Sequence, residues 1–239
     1  RRDTVAATID LGAGSWGTVQ AEAANQLRRG KLSSTVSLQY QHTDNHRPRM
    51  GFQQVGGYAR VGYDFTPHWR ARADVSLTHF KSSYPGATTS PLYDADQWIT
   101  RGMAEAAVEN HYDKTSGGVS VYTNFGRHKI DDGTANPDVP TKRYFRSKDA
   151  LTGVSWYQSV VLGGGESAFK TRLTAGIDYQ HIFGDAYYTS KETGEVLETS
   201  NKQSGRSRRN EIAGYAEVRQ DFAEWLTVDA GLRIDHHSM

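Results

Sequence analysis

The chain contains no cysteine, which excludes disulfide staples, zinc–thiolate centres and thiol nucleophiles. It suits a β-rich protein that crosses an oxidising compartment unfolded, where stray thiols would pair wrongly. No apolar run approaches the ~20 residues that a membrane-spanning helix needs. No stretch repeats its apolar residues at helical spacing over a useful length. Apolar side chains are scarce for 239 residues, at 36% with a mean hydropathy of −0.68, a thin supply for a packed interior of that size. Aromatic residues, at 11%, are too frequent for a disordered chain. Charges nearly cancel, at +1, so the basic excess of a nucleic-acid binder is missing. No secretory leader is visible, and the chain opens on Arg1-Arg2-Asp3, as an internal piece of a longer protein would.

What is present is alternation. In WLTVDAGLRIDHH, Leu226, Val228, Ala230, Leu232 and Ile234 take every second place, with Thr227, Asp229, Gly231, Arg233 and Asp235 between them. A strand sends successive side chains to opposite faces, so one face is apolar and the other charged. The pattern recurs from Val5 to Leu11, Val19 to Ala23, Leu32 to Tyr40, Val55 to Phe65 and Trp69 to Leu77. It continues at Ala104 to Val108, Val119 to Phe125, Val154 to Leu162, Leu173 to Tyr179 and Ile212 to Val218. The polar face carries mid-strand charges, among them Arg60, Arg72, Asp74, Asp229 and Arg233. The apolar face mixes Ala and Gly with Val and Leu, which fill a sandwich core poorly but meet lipid at little cost. Aromatics such as Tyr40, Tyr63, Trp69, Phe125, Phe169 and Trp225 gather where apolar strands end, as in the interfacial girdles of transmembrane barrels.

Connection lengths sharpen the reading. Arg28–Lys31, Thr66–His68, Asp113–Gly117, Gly163–Ser167 and Phe222–Trp225 are short. Between them, in alternation, fall long stretches at His42–Gln54, Lys81–Gln97, Arg127–Lys148 and Gly184–Asn210, with only Gly12–Gly17 brief on that side. Short turns at one end and long loops at the other mark an up-and-down outer-membrane barrel, whereas a Greek-key sandwich would mix them. About eleven strands can be counted, and single-chain bacterial barrels normally close with an even number. The expected fold is therefore all-β: residues 1–239 as an antiparallel up-and-down transmembrane β-barrel domain in part, cut at both ends, with about eleven strands of a barrel near the ~22-stranded size. Such a fragment alone is not expected to close, because unpaired edges in lipid are costly.

The texture resembles that of TonB-dependent outer-membrane receptors. Tyr122–Gly133 (YTNFGRHKIDDG) is similar to a strand and loop of that family, as are Leu151–Leu162 with Thr174–Tyr188. Glu211–Ser238 resembles a late strand pair, Gly12–Thr18 the first outer turn, and Arg1-Arg2 the close of the family's plug domain. The resemblance implies a receptor in the outer membrane of a Gram-negative bacterium that actively takes up a scarce metal complex, a ferric siderophore, haem or cobalamin. Its implied partners are the TonB complex, acting through a plug and N-terminal segment not contained in these residues, outer-membrane lipid, and the metal-complex ligand. A surface lipoprotein is a further partner left open. No resident cofactor and no nucleic acid are implied, and charged wall residues would pair with the plug or with one another.

Candidate ligand contacts lie on the long-loop side. His42, His46, His128, His181, His236 and His237 fall there, and imidazoles could ligate haem iron or another metal. No pair has a recognised ligand spacing, and adjacent His236 and His237 point oppositely on a strand. Tyr144, Phe145, Tyr187 and Tyr188 fall in the long outer loops, where rings could stack on a flat ligand. Arg47, Arg49, Arg143, Arg146, Arg206, Arg208 and Arg209 could attract an anionic siderophore or surface lipopolysaccharide. A solvated loop explains this charge equally well. Asp131 and Asp132 of DDGTANPD are a calcium candidate without EF-hand spacing.

Catalysis is not expected. Asp235, His236 and Ser238 are too close along one strand to converge as a triad, and no nucleophile elbow, P-loop or HExxH motif is present. A passive porin and a soluble β-rich binding module remain as rival classes.

Overall fold

The computed structural model describes residues 3–163, 170–199, 206–223 and 225–238. Residues 164–169, with most of the expected Gly163–Ser167 turn and Phe169, lie outside that set, as does the side chain of Arg206. The elements are strands throughout: β1 (Thr4–Gly14), β2 (Thr18–Arg29), β3 (Leu32–Thr43), β4 (Phe52–Asp64), β5 (Trp69–Ser83), β6 (Gly86–Ala87), β7 (Ser90–Pro91), β8 (Asp96–His111), β9 (Thr115–Ile130), β10 (Arg143–Gly163), β11 (Lys170–Ser190), β12 (Val196–Thr199), β13 (Arg206–Ala223) and β14 (Leu226–Ser238). No helix among the described residues is long and apolar enough to cross a membrane, which says nothing about crossing by strands.

Eleven strands form one sheet in strict chain order, β1-β2-β3-β4-β5-β8-β9-β10-β11-β13-β14, and β12 adds to β11. Each neighbouring pair is antiparallel. The up-and-down order and strand number agree with the sequence. The sheet is open, with β1 and β14 at its two ends. The first hairpin turns through Trp16 and Gly17, both at positive φ. Primed hairpin turns need that conformation to match the twist of the flanking strands.

Register divides the side chains into two faces. One row runs Thr35–Arg60–Asp74–Glu105–Tyr122–Gly153–Gln180–Glu211–His237. The adjacent row, on the other face, runs Val36–Ala59–Val75–Ala104–Thr123–Thr152–His181–Asn210–Ser238. We call these the charged and the apolar face. Neither is covered by a second layer. The buried apolar side chains among those described are small, Ala95, Ala107 and Ala213 with Pro85, while Val5, Ile9, Leu11, Leu38, Leu232 and Ile234 stand exposed. Burying a side chain of that size is worth ~1.5–3 kcal/mol, and a contiguous apolar sheet face far exceeds what soluble monomers expose.

The strands run further toward the long-loop side than the sequence indicated. Tyr144, Phe145, Tyr187 and Tyr188, expected in loops, are paired strand residues, with Phe145 opposite Tyr188 and Arg146 opposite Tyr187. The β10–β11 hairpin holds register from Arg143↔Ser190 to Gly163↔Lys170. Aliphatic alternation stops where the apolar belt stops, but backbone pairing continues beyond it. Reading strand ends from hydrophobicity therefore truncated them.

A close approach on the charged face gives a test. A Cβ at Gly153 would lie 2.5 Å from Tyr122 Cζ, whose hydroxyl accepts a hydrogen bond from Gln180 Nε2 at 2.9 Å. Gly153→Val is expected to lower stability by ~1–3 kcal/mol through overpacking. Gly184→Val, with open space around its Cβ position, should cost much less. The midpoint of heat-induced gel-shift loss of the full-length protein in detergent measures both.

Candidate functional site

On the charged face, consecutive strands set opposite charges side by side. Asp74 is the hub, with a side chain only 2% exposed. It accepts hydrogen bonds from Arg60 Nε, from Tyr58 Oη at 2.8 Å and from Arg72 Nη1 at 2.7 Å. Arg72 forks onward to Glu105 at 2.7 and 3.0 Å and reaches Glu109 at 3.1 Å. The register explains the network: Arg60, Asp74 and Glu105 share one row, and Arg72 lies one pleat away on the same face. A planar guanidinium suits this task because it donates to several carboxylates at once.

A second network spans β11 and β14. Arg233 donates to Asp178 at 2.7 Å and to Asp235 at 2.9 Å, while Ser155 donates to the other Asp178 oxygen at 2.7 Å. Asp229 is on the same face, in register with Arg219 and through it with Arg172. The five charged residues singled out in the sequence thus occupy one face.

The aromatic and imidazole candidates are split between faces. Tyr188 lies on the charged face and packs edge-on against Phe145 at 5.5 Å, with the Arg143 guanidinium 4.0 Å over its ring. His128, on that face, places Nδ1 3.0 Å from Ser147 Oγ. His237 is also there, 3.7 Å from Glu211. Tyr144, Tyr187 and His236 belong to the apolar face. These candidates therefore cannot act as one group. His128, Phe145, Tyr188 and Arg143 make one rim cluster, in which Phe145 and Arg143 matter as much as the histidine.

The outer connections are knitted together. Arg47 Nη2 donates to the Gly86 carbonyl at 3.0 Å, Arg49 covers the Tyr93 ring at 4.2 Å, and Tyr93 bridges to Thr134 through backbone bonds of 2.8 and 2.9 Å. Arg47 and Arg49 thus hold loop to loop. Asp131 is buried, paired with Lys191, and accepts from Thr141 Oγ1 at 2.6 Å and Gly133 N–H at 3.2 Å. The calcium expectation for Asp131 and Asp132 fails on this geometry: Asp131 is spent on a lysine and Asp132 is exposed. No group of three or more acidic or histidine side chains among the described residues could hold a metal.

Asp74→Ala leaves two arginines short of a buried partner and is expected to destabilise by ~2–3 kcal/mol. Asp229→Ala, at an exposed position, should stay within about 0.5 kcal/mol. Thermal unfolding of the two full-length variants in detergent distinguishes hub from bystander.

Comparison with known proteins separates sequence from shape. No family model and no curated protein matches the chain in sequence. Solved structures match in fold. The alcaligin outer-membrane receptor FauA from Bordetella pertussis aligns at TM-score 0.74 and 15% identity, over 97% of this chain and 36% of its own. The copper transporter OprC aligns at 0.76 and 14%, over 98% and 38%. The ferric citrate transporter FecA in its unliganded form aligns at 0.69 and 13%, over 98% and 37%. The chain thus spans between 36% and 38% of the length of these three structures. The open antiparallel sheet described above has the fold of a segment of a TonB-dependent receptor barrel.

Proposed function

We propose that this chain is part of the barrel wall of a TonB-dependent receptor in the outer membrane of a Gram-negative bacterium, which takes up a scarce metal complex. The observation that carries the proposal is a sheet whose apolar face has no covering layer and whose opposite face carries ion-pair networks centred on Asp74 and Arg233. Lipid is the solvent that suits the first, and a polar, filled lumen suits the second. A soluble β-rich module would need a second layer over the exposed Val, Leu and Ile. The fold shared with receptors for alcaligin and ferric citrate supports a metal-linked cargo.

In this reading the Asp74 and Arg233 networks stiffen the wall and pair with a plug. Energy for uptake comes from the TonB complex through that plug. The rim cluster of Phe145, Tyr188, Arg143 and His128 meets the ligand on the lumen side. Two edge-on rings with a guanidinium suit a flat, anionic complex such as a ferric catecholate or haem.

The full-length receptor in detergent, offered haem, cobalamin and ferric siderophores, is expected to retain one of them, read by absorbance. Tyr188→Ala should weaken that retention by roughly tenfold, the worth of a stacked ring, while Tyr187→Ala on the opposite face leaves it unchanged. Equal effects of the two would overturn the rim assignment. Retention of none would move the cargo to a colourless nutrient such as a glycan or peptide.

A further inference from the structure

Beyond the apolar belt, on the same outward face, lies a set of cations that the uptake reading does not use. Lys81, Arg127, Lys129, Arg146, Lys148 and Arg208 are all on the apolar face, at its long-loop end. The belt below them has no charge on that face: along β9 it runs Val119, Val121, Thr123 and Phe125 before Arg127, and along β10 it runs Leu162, Val160, Gln158, Trp156, Val154, Thr152 and Ala150 before Lys148. At the short-turn end of this face Arg29 is the single charged strand residue among those described. The cations therefore mark one edge of the belt and not the other.

Their arrangement is costly for the protein by itself. Arg127 lies directly opposite Lys148, and Lys129 directly opposite Arg146. Like charges facing one another across strands destabilise a sheet, and here two such pairs are stacked into a block of four. Among the described residues, two carboxylates on this face reach the set: Asp96 pairs with Lys81 at 3.1 Å and Asp185 with Lys148 at 3.5 Å. Lys129 instead sits 4.4 Å over Trp98 and 4.1 Å over Tyr144, while Arg146 donates to Thr189 Oγ1 at 2.9 Å. Arg127 is exposed and makes no polar or ring contact among the described residues. The rings orient Lys129 without neutralising it, and of the four opposed cations Lys148 alone has a carboxylate partner among the described residues.

We propose that this block binds the phosphorylated head group of a glycolipid in the outer leaflet, that is, the phosphates of lipopolysaccharide. The inference rests on the outer-membrane reading. The patch shares its face with the lipid-exposed belt, so its ligand must lie in the leaflet rather than in the lumen. Phosphate oxygens bridging Arg127 with Lys148 and Lys129 with Arg146 would convert both repulsive pairs into charge-assisted hydrogen bonds. Trp98 and Tyr144 would sit at the glycolipid's polar–apolar boundary, the depth aromatic side chains favour. The paired strands of β9 and β10 hold the four cations at fixed spacing, where a flexible loop would not.

The test uses the full-length receptor purified in detergent and the double variant R127Q/K129Q, with the charged-face variant R101Q as control. Co-purifying lipopolysaccharide, measured by its phosphate and 3-hydroxy fatty acids, should fall by roughly thirtyfold in the double variant, given ~1 kcal/mol for each of the two cations at an anionic lipid surface, and not in R101Q. Added lipopolysaccharide should raise the unfolding temperature of the wild type, and dephosphorylated lipid A should raise it far less. The single variant R127Q, which has no contact to lose, should show an intermediate loss. Equal retention by the wild type and the double variant would overturn the proposal. So would an unfolding temperature that responds equally to phosphorylated and dephosphorylated lipid. Recovery of the wild type in the aqueous fraction without detergent would instead overturn the outer-membrane reading.

Discussion

Hydrocarbon cannot hydrogen-bond a peptide group, so every N–H and C=O of a chain in lipid must find its partner within the protein. The eleven long strands pair antiparallel in chain order, so that among the described residues only the outer edges of β1 and β14 have no neighbouring strand in the sheet. Because each partner is the chain's own neighbour, all connections are hairpins. Their register is set locally by short turns such as the one at Gly30, again at positive φ. The chemistry of both faces follows. Once pairing is fixed, a one-residue alternation in sequence becomes a division between two faces, and a one-residue slip would carry Arg60, Arg72 and Arg233 to the apolar one.

The two faces obey opposite rules of stability. On the apolar face nothing interdigitates, so Ala and Gly serve as well as Leu. The face is defined by what it omits, namely charge, from one edge of the belt to the other. On the charged face the side chains hold one another. Asp74 tolerates near-complete burial because Arg60, Arg72 and Tyr58 all donate to it. Arg72 is held in turn by Glu105 and Glu109. Removing one member strands the others, so the network acts as a unit rather than as a sum of pairs.

How much of this was legible in the sequence depends on which feature carried the information. Alternation in WLTVDAGLRIDHH disclosed a strand with two unlike faces, and connection lengths disclosed the up-and-down order. Both are local, and both needed no knowledge of partners. The sharing of one face by Arg60, Arg72, Asp74, Asp229 and Arg233 was also local, since parity within each strand decides it. Strand ends were not legible, because Tyr144 to Lys148 and Asp185 to Tyr188 lost the aliphatic signal while keeping their pairing. The roles of Arg47, Arg49 and Asp131 were hidden for a different reason: their partners Gly86, Tyr93 and Lys191 are distant in the chain and meet them only in the fold.

Register also changes the meaning of a charge. In sequence, Arg127, Lys129, Arg146 and Lys148 read as four ordinary loop cations, each free to point into water. Pairing of β9 with β10 removes that freedom and sets them as two opposed couples on the face that continues the apolar belt. The same pairing on the other face sets His128 beside Ser147, at hydrogen-bonding distance. One hairpin therefore presents a satisfied polar pair on one face and, on the other, a block of four cations of which only Lys148 meets a carboxylate among the described residues. A wall that meets lipid on one side and a filled lumen on the other has reason to differ in that way. On the proposed reading, the inward pair is satisfied within the protein, while the outward cations that lack a carboxylate partner would take anions supplied by the membrane.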